Sequence, residues 1–518
     1  MNSLTTIAIV GTGQQRPEKI ETGTPIDTLA TQLPTGNIER ALLLAAGAEA
    51  TYRQAGYQAT QAPAAPPLAP EETRQACSKE AAYLLDLLLK GQYEQLLPEA
   101  LERLQAAHLR IPYELLPQLL RYGTEHRQIR AALIPVIGER GRWLSQFNTS
   151  WAWVQQFLPE TSRELPADAE TIWQEGTTGQ RSEILRRLRA VDAAKARAWL
   201  AAVWKQEKAE VRNALLAALE VSLSAEDETF LDTALDDRSA TVKASVAALL
   251  ARIPGSALSQ RMQKRADMIL SFEKGILKKG KLTLHPLPEP DEHWKRDGLQ
   301  VYGDQNKLTR DAAKQLEAYF ETVEQIIALV PPGHWTERFA STPQALLGAL
   351  KNLDGSDRLR DAWSQAACLH QDQQWAGLLL GLQLSARNFE TVRILLPLLS
   401  QQAAEHSLKA LSLNNNVQSM LLDMLPRPWS TEFSEHCLQT IRAQFEEYKK
   451  KTKNTYYYND RRLSSLAVAM SPICFEQAQQ LEELLDDDPQ NRASNYIDQL
   501  LSEFIETLNM RKRIIEEI

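Results

Sequence analysis

The stretch RSEILRRLRAVDAAKARAWLAAVWKQEKAEVRNALLAALEVSLSAEDETFLDTALDDRSATVKASVAALLARIPGSALSQRM, residues 181–262, predicts a series of short amphipathic helices. In two of its segments, apolar residues recur at intervals of three and four, which places them on one face of a helix. In VRNALLAALEVSL these residues are Val211, Ala214, Leu215, Ala218, Leu219 and Leu223. In VKASVAALLARI they are Val242, Val246, Leu249, Leu250 and Ile253. Each segment therefore predicts a helix with a single buried face.

The two segments follow one pattern. Val211 superposes on Val242 at a shift of 31 residues, and the neighbouring Arg212 then superposes on Lys243. A period of roughly 30 to 45 residues built from helix pairs is typical of an α-solenoid, in which each pair buries its apolar face against the next pair.

The residues between the two segments predict a further helix. Ser224, with Asp227 three residues later, resembles a capping box, in which a hydroxyl and a carboxylate satisfy the free N–H groups of a first turn. The spacing D-D-x-x-x-x-V-K, from Asp236 to Lys243, resembles the HEAT class of helical repeat. We therefore predict a mainly all-α fold, an α-solenoid of HEAT-like helix pairs.

Composition bounds the class of protein. With 518 residues, 43% hydrophobic and 24% charged, the chain is long enough for two or more domains. Its formal net charge of −8 argues against a general nucleic-acid binder. The four cysteines are far apart and include no C-x-x-C pair, which favours reduced thiols over disulfides or a zinc site. No apolar run has the length of a membrane span, and the N-terminus lacks signal-peptide features. We therefore predict a cytoplasmic protein without membrane contact.

Composition also shifts along the chain. The segment APAAPPLAPEE is rich in proline and alanine and predicts an exposed linker. Residues 280–303 contain three prolines, an Asp297-Gly298 pair and alternating leucines, which predict one or two short strands or an extended arm. The predicted organisation is an N-terminal helical segment (1–61), a linker (62–72), a helical-repeat domain (73–275), an extended insertion (276–307) and a C-terminal helical domain (308–518).

Several strings resemble an uncharacterised bacterial family of helical-repeat proteins. They are GRWLSQFNTSWAW, the opening stretch, KRDG and IIALVPPGHW, and EDETFLDTALDDRS with LLARIPGSALSQRM is the most specific part. Members of that family are encoded beside a MoxR-type AAA ATPase, a von Willebrand factor A domain protein and often a SWIM zinc-finger protein. The resemblance implies a non-enzymatic scaffold or adaptor of such an ATPase assembly, with the ATPase and the A-domain protein as partners.

The charged residues of the opening stretch are the candidate partner-binding surface. Repeat stacks expose extended faces on which each repeat adds contacts. The candidate residues are Arg181, Arg186, Arg187, Arg212, Asp236, Asp237, Lys243 and Arg252. We predict no catalytic, cofactor-binding or metal-binding residues, because no pattern of nucleophile, base and orienting group occurs.

A nucleic-acid-binding protein is the alternative. The same arginines could contact phosphates, as in HEAT-like DNA glycosylases, which pair an acidic residue with aromatic side chains to act on a base. Asp236 or Asp237 could supply the acid, and Trp199 and Trp204 the aromatic rings. A third interpretation of the arginines is a solvated helix face paired with nearby glutamates.

Overall fold

A computed structural model describes residues 3–14, 19–32, 36–56, 66–156, 165–166, 168–275, 280–291, 293–299, 312–409, 420–450, 461–485 and 496–518. The chain divides into two compact units, Met1–Ala69 and Pro70–Ile518. The predicted boundaries near residues 275 and 307 stay predictions. Part of the predicted linker, residues 62–65, lies outside the described residues.

The described residues of the first unit form three helices, α1 (Ser3–Val10), α2 (Asp27–Ala30) and α3 (Ile38–Ala55). Asn37 begins α3, because its side chain accepts a hydrogen bond from the backbone N–H of Arg40.

The second unit begins with short helices and one pair of two-residue parallel strands, β1 (Gln75–Ala76) and β2 (Leu109–Arg110). The helices are α4 (Lys79–Leu89), α5 (Leu97–Ala106), α6 (Leu116–Glu125), α7 (Arg130–Leu133), α8 (Gly138–Ser145) and α9 (Trp153–Gln156). Prolines occupy the first turns of α5 and α6, where a missing N–H leaves no hydrogen bond unmade.

The opening stretch of the sequence forms the helices in the middle of this unit. They are α10 (Ala169–Glu175), α11 (Thr178–Val191), α12 (Ala193–Val203), α13 (Ala209–Leu216), α14 (Glu228–Ala234), α15 (Ala240–Arg252) and α16 (Ala257–Ile269). Helices α11, α13 and α15 begin 31 residues apart, and α13 packs against both α11 and α15. The shift of 31 residues between Val211 and Val242 is therefore the spacing at which these three packed helices begin.

The segment after α16 contains both strands and a helix. Strands β3 (Leu270–Glu273) and β4 (Lys281–Leu284) form an antiparallel hairpin, so the predicted β content near residues 280–303 is present as β4. A short helix, α17 (His293–Arg296), also lies in the segment.

The end of α17 is packed against the preceding helices. Asp297 is fully buried and accepts hydrogen bonds from Arg261 and Arg265 on α16, with donor–acceptor distances of 2.5–2.9 Å. Gly298 has a φ of +83°, and a Cβ there would lie 3.2 Å from the carbonyl oxygen of Lys243 on α15. This close approach explains a glycine at the position.

Helices complete the described chain. They are α18 (Ala312–Ala328), α19 (Pro332–Arg338), α20 (Pro343–Ala349), α21 (Ser356–Leu369), α22 (Gln373–Ser385), α23 (Phe389–Leu395), α24 (Gln401–Lys409), α25 (Thr431–Lys450), α26 (Arg461–Ala469), α27 (Phe475–Gln479) and α28 (Tyr496–Glu517). The indole rings of Trp335, Trp363 and Trp375 meet in the core of this part. The prediction of a mainly all-α fold is confirmed, and the solenoid form of the helix stack stays a prediction.

The last helix contacts the first helices of the same unit. Helix α28 packs against α26 and also against α4 and α5. Arg511 on α28 is 1% exposed and donates to both carboxylate oxygens of Glu99 on α5, at 2.6 and 3.2 Å. Its third nitrogen donates to the carbonyl oxygens of Ala467 and Met470. One buried guanidinium thus joins the beginning and the end of the second unit.

Candidate interaction surface

Arg181, Arg212 and Lys243 hold the same place in their helices. Each is the fourth residue of its helix, in α11, α13 and α15 respectively, so the three lie 31 positions apart. The sequence spacing therefore gives the three cations equivalent positions in successive repeats.

Arg181 is paired within the chain. Its Nη2 lies 2.6 Å from Oε1 of Glu207, and its guanidinium carbon lies 4.9 Å from the centre of a Trp173 ring. Both Arg181 and Glu207 are less than one-fifth exposed. The carboxylate and the aromatic face, both mostly buried, compete with any phosphate for this cation.

Arg212 has the same surroundings one period later. Its Nε and Nη2 lie 2.8 and 3.0 Å from the two carboxylate oxygens of Asp237, and its guanidinium faces the Trp204 ring at 5.7 Å. Asp237 is 4% exposed and also accepts a hydrogen bond from the backbone N–H of Ser239, so it orders the turn before α15.

The aromatic residues follow the same period. Trp173 stacks on Trp199 with ring centres 5.5 Å apart, and Trp204 meets the edge of Phe230 at 5.4 Å. Each residue of the second pair lies 31 positions after its counterpart in the first pair. We refer to these four rings with Arg181, Arg212, Glu207 and Asp237 as the aromatic ladder. The ladder includes Trp199 and Trp204, so the two rings that the nucleic-acid alternative required pack against other side chains.

Arg186 and Arg187 share one carboxylate. Arg187 Nε lies 2.7 Å from Oε1 of Glu183, and Arg186 Nε lies 3.0 Å from Oε2. Burial opposes ionisation of Glu183, but the hydrogen bonds from the two arginines outweigh it and lower the pKa of that carboxyl. Arg186 is about half exposed, whereas Arg187 is buried.

The remaining candidates are also in contact with the chain. Asp236 and Asp232 both accept hydrogen bonds from Arg296 at the end of α17, and these bonds raise the pKa of that guanidinium. Lys243 Nζ donates to the backbone oxygen of Lys295 at 3.3 Å. Arg252 Nη1 lies 3.6 Å from Oε2 of Glu220, beyond hydrogen-bond length, and both side chains reach solvent.

The most buried ion pair of the stretch lies outside the predicted set. Arg189 and Asp227 are both 0% exposed and form two parallel hydrogen bonds of 2.9 Å. Asp227 also accepts from Arg197 and from the backbone N–H of Ser224, as the predicted capping box requires. Burial opposes ionisation of Asp227, yet the hydrogen bonds from Arg189 and Arg197 outweigh it and lower its pKa.

An open pocket lies between α13, α15 and the end of α21. It has a volume of about 210 Å³. Its lining residues are Asn213, Leu216, Ala217, Glu220, Ser245, Ala248, Leu249, Arg252 and Leu369. We call it the α13–α15 pocket. Ala217 and Ala248 contribute to its wall, and the Glu220 and Arg252 side chains of its lining are 60% and 26% exposed.

The described ranges contain no group of three or more His, Cys, Asp and Glu side chains that could hold a metal ion. Within the same ranges, no helix combines the length and the apolar character that crossing a bilayer requires.

These features define a mainly α-helical protein of short packed helices whose midsection carries an internally paired charge network. The chain belongs to a family of unknown function, DUF5691, whose model matches residues 3–518. No curated protein and no solved structure matches the chain. The uncharacterised family expected from the sequence is in this respect confirmed.

Proposed function

We propose that this protein is a non-enzymatic scaffold or adaptor that binds a protein partner through the helices of residues 169–269. HEAT-like stacking of the helix pairs would give this region an extended surface. The observation that carries the proposal is the contrast between the α13–α15 pocket, which is open, and the neighbouring cations, which are held by carboxylates of the same chain.

The pocket has the properties of an anchor site for a partner side chain. Protein interfaces concentrate their binding energy in a few aromatic or arginine anchors that fill desolvated pockets, with polar groups around them. A pocket of about 210 Å³ with Leu216, Ala217 and Leu249 in its wall accepts one large apolar side chain. Glu220 and Arg252 would then form the polar rim.

The proposed partners are a MoxR-type AAA ATPase and a von Willebrand factor A domain protein. This part of the proposal rests on the family resemblance of the sequence. The test is affinity capture of the tagged chain from its native host, with and without ATP, followed by identification of the bound proteins. Recovery of either partner in proportion to the chain supports the proposal, and recovery of neither contradicts it.

The nucleic-acid alternative is tested separately. Because Arg181, Arg187 and Arg212 are already paired, we expect no measurable binding of short duplex DNA even at low salt. Binding that weakens steeply as salt rises, with a slope corresponding to several phosphate contacts, would favour the alternative.

A further inference from the structure

A second opening lies where the two ends of the second unit meet. It has a volume of about 450 Å³. Its walls come from α5 and the residues before it, from the turn after residue 424, and from α26 and α28. The lining residues are Gln95, Pro98, Glu99, Glu102, Arg103, Ala106, Leu425, Arg427, Pro428, Val468 and Arg511. We call it the seam cleft. It shares no residue with the α13–α15 pocket.

We propose that the seam cleft binds a peptide segment of a partner protein that presents a carboxylate beside a small or medium apolar side chain. The volume lies in the range of specific ligand sites.

Arg103 has donor capacity that the protein leaves unused. Its Nε is buried and makes no hydrogen bond within the described chain, and Oε1 of Glu99 is 3.6 Å away. Glu99 cannot move toward Arg103 without weakening its two hydrogen bonds to Arg511. The Arg103 side chain is 32% exposed, so its guanidinium can turn toward an oxygen in the cleft and gain a hydrogen bond that the free protein lacks.

Arg427 supplies a second guanidinium. It is 41% exposed, and its Nη2 lies 3.7 Å from Oδ1 of Asp423, beyond hydrogen-bond length. Asp423 itself does not line the cleft. Guanidinium groups bind carboxylates through parallel hydrogen bonds, and this geometry is stronger than a single ion contact.

The charge of the lining favours a singly charged ligand. Three arginines and two glutamates line the cleft, which leaves one excess positive charge in a chain whose net charge is −8. Glu102 is exposed and would repel a doubly charged phosphate more strongly than a carboxylate. A side-chain carboxylate therefore fits the cleft better than a phosphate group.

The apolar part of the lining explains why the ligand is a peptide and not a free carboxylic acid. Pro98, Ala106, Leu425, Pro428 and Val468 contribute apolar surface on both sides of the seam. Burial of a neighbouring apolar side chain there adds affinity of about 25 cal/mol per Å² removed from water. A bound peptide would contact both ends of the second unit at once, so its binding should stabilise their junction.

The test starts from selection of N-acetylated, C-amidated hexapeptides from a random library on the purified full chain. Enrichment of peptides with Asp or Glu beside an apolar residue is expected. The best peptide and its Asn- or Gln-matched analogue are then titrated by fluorescence anisotropy. The acidic peptide should bind about tenfold more tightly or better, the scale of one charge-assisted hydrogen bond. Equal affinity for the two peptides, or no enrichment of acidic residues, would overturn the proposal.

Variants locate the site. Arg427→Gln should weaken the acidic peptide about tenfold and leave the melting temperature near that of wild type, because its ion contact is exposed. Arg103→Gln should also weaken binding. Arg513→Gln, which alters a half-exposed pair with Glu80 outside the cleft, is the matched control and should bind normally.

Three further outcomes would contradict the assignment. They are normal binding by both cleft variants, competition by inorganic phosphate at concentrations where acetate has no effect, and loss of peptide binding on substitution of Ala217 in the α13–α15 pocket. The last result would place the peptide on the surface of the proposed function, so failure of one site is distinguishable from failure of the other.

Discussion

Arg511 and Glu99 form a two-hydrogen-bond ion pair across 412 positions of the sequence. The arginine is buried among backbone carbonyl oxygens and the ring of Phe475, whereas the glutamate is about one-quarter exposed. The pair holds the last described helix against the first helix pair of the second unit. Helix α28 therefore contacts both α26 and the beginning of the unit.

Replacement of Glu99 should loosen this junction. In Glu99→Gln, the Arg511 guanidinium stays buried without its carboxylate, which costs about 2 kcal/mol after allowance for the partial exposure of Glu99. The measurement is the shift of the denaturant unfolding midpoint. Glu80→Gln, which breaks the half-exposed pair with Arg513, is the control and should change stability by less than about 0.5 kcal/mol. Equal shifts for the two variants would refute the role of the buried pair.

Asp227 should be the most sensitive acidic residue of residues 181–262. Its replacement by Asn leaves the fully buried Arg189 without a counter-charge, and we expect a loss of about 3 kcal/mol. Glu226→Gln is the control, because Glu226 is 74% exposed and contacts Arg197 at 3.4 Å. Thermal and denaturant unfolding of both variants provide the measurement. An Asp227→Asn protein as stable as Glu226→Gln would show that the network contributes little.

The partly buried His370 should make stability depend on pH. Burial lowers the pKa of His370, the hydrogen bond to the Leu329 carbonyl raises it, Arg252 lowers it and Asp372 raises it, with a net lowering from the usual 6.5. Between the folded pKa and 6.5 the unfolded chain binds more protons, so stability rises with pH through this window and the contribution is complete above it.

The pH effect is measured as the change in melting temperature between about pH 5 and about pH 7. His370→Gln keeps a donor for the Leu329 carbonyl and should reduce this change, whereas a substitution of the exposed His108 by Asn should leave it unaltered. A His370→Gln protein with the full wild-type pH dependence would assign the effect to other groups.

The aromatic ladder should matter for folding more than the exposed arginine beside it. Arg212→Gln removes the charge that holds the nearly buried Asp237 and faces Trp204, and we expect a loss of about 2 kcal/mol. Arg186→Gln alters a half-exposed contact and should cost less than about 0.5 kcal/mol. Urea unfolding, monitored by tryptophan fluorescence, compares the two. A larger loss of stability for Arg186→Gln than for Arg212→Gln would contradict the greater role of the aromatic ladder in folding.

The periodic part of the fold was predictable because local spacing determines it. The shift from Val211 to Val242 gave the period with which α11, α13 and α15 begin, and Ser224 with Asp227 gave the helix start between them. Each of these features depends on residues a few positions apart, so helical periodicity and capping chemistry reveal them.

The charge partners were not predictable in the same way. The partners of Arg181 and Arg212 lie 26 and 25 positions later, on the turns before the next helix, and a helix-face pattern contains no such spacing. The repetition of Trp173 and Trp199 as Trp204 and Phe230 was visible in the sequence at a shift of 31 and would have revealed the ladder. Arg511 and Glu99 are beyond any local pattern.

The role of the eight charged residues chosen from the sequence as a partner-binding surface stays a prediction. Their contacts within the chain move the proposed working surface from the arginines to the α13–α15 pocket beside them. Arg252 is the candidate that also lines this pocket.

The α13–α15 pocket, and not the paired charges, is the proposed binding site of the protein partner. Ala217→Arg fills the pocket with a large side chain. Because Ala217 is solvent-exposed, the substitution should leave the melting temperature near that of wild type. The measurement is recovery of the ATPase or the A-domain protein by tagged wild type, Ala217→Arg and Arg186→Gln in parallel captures. We predict that Ala217→Arg loses the partner and Arg186→Gln retains it; the reverse result would contradict the account.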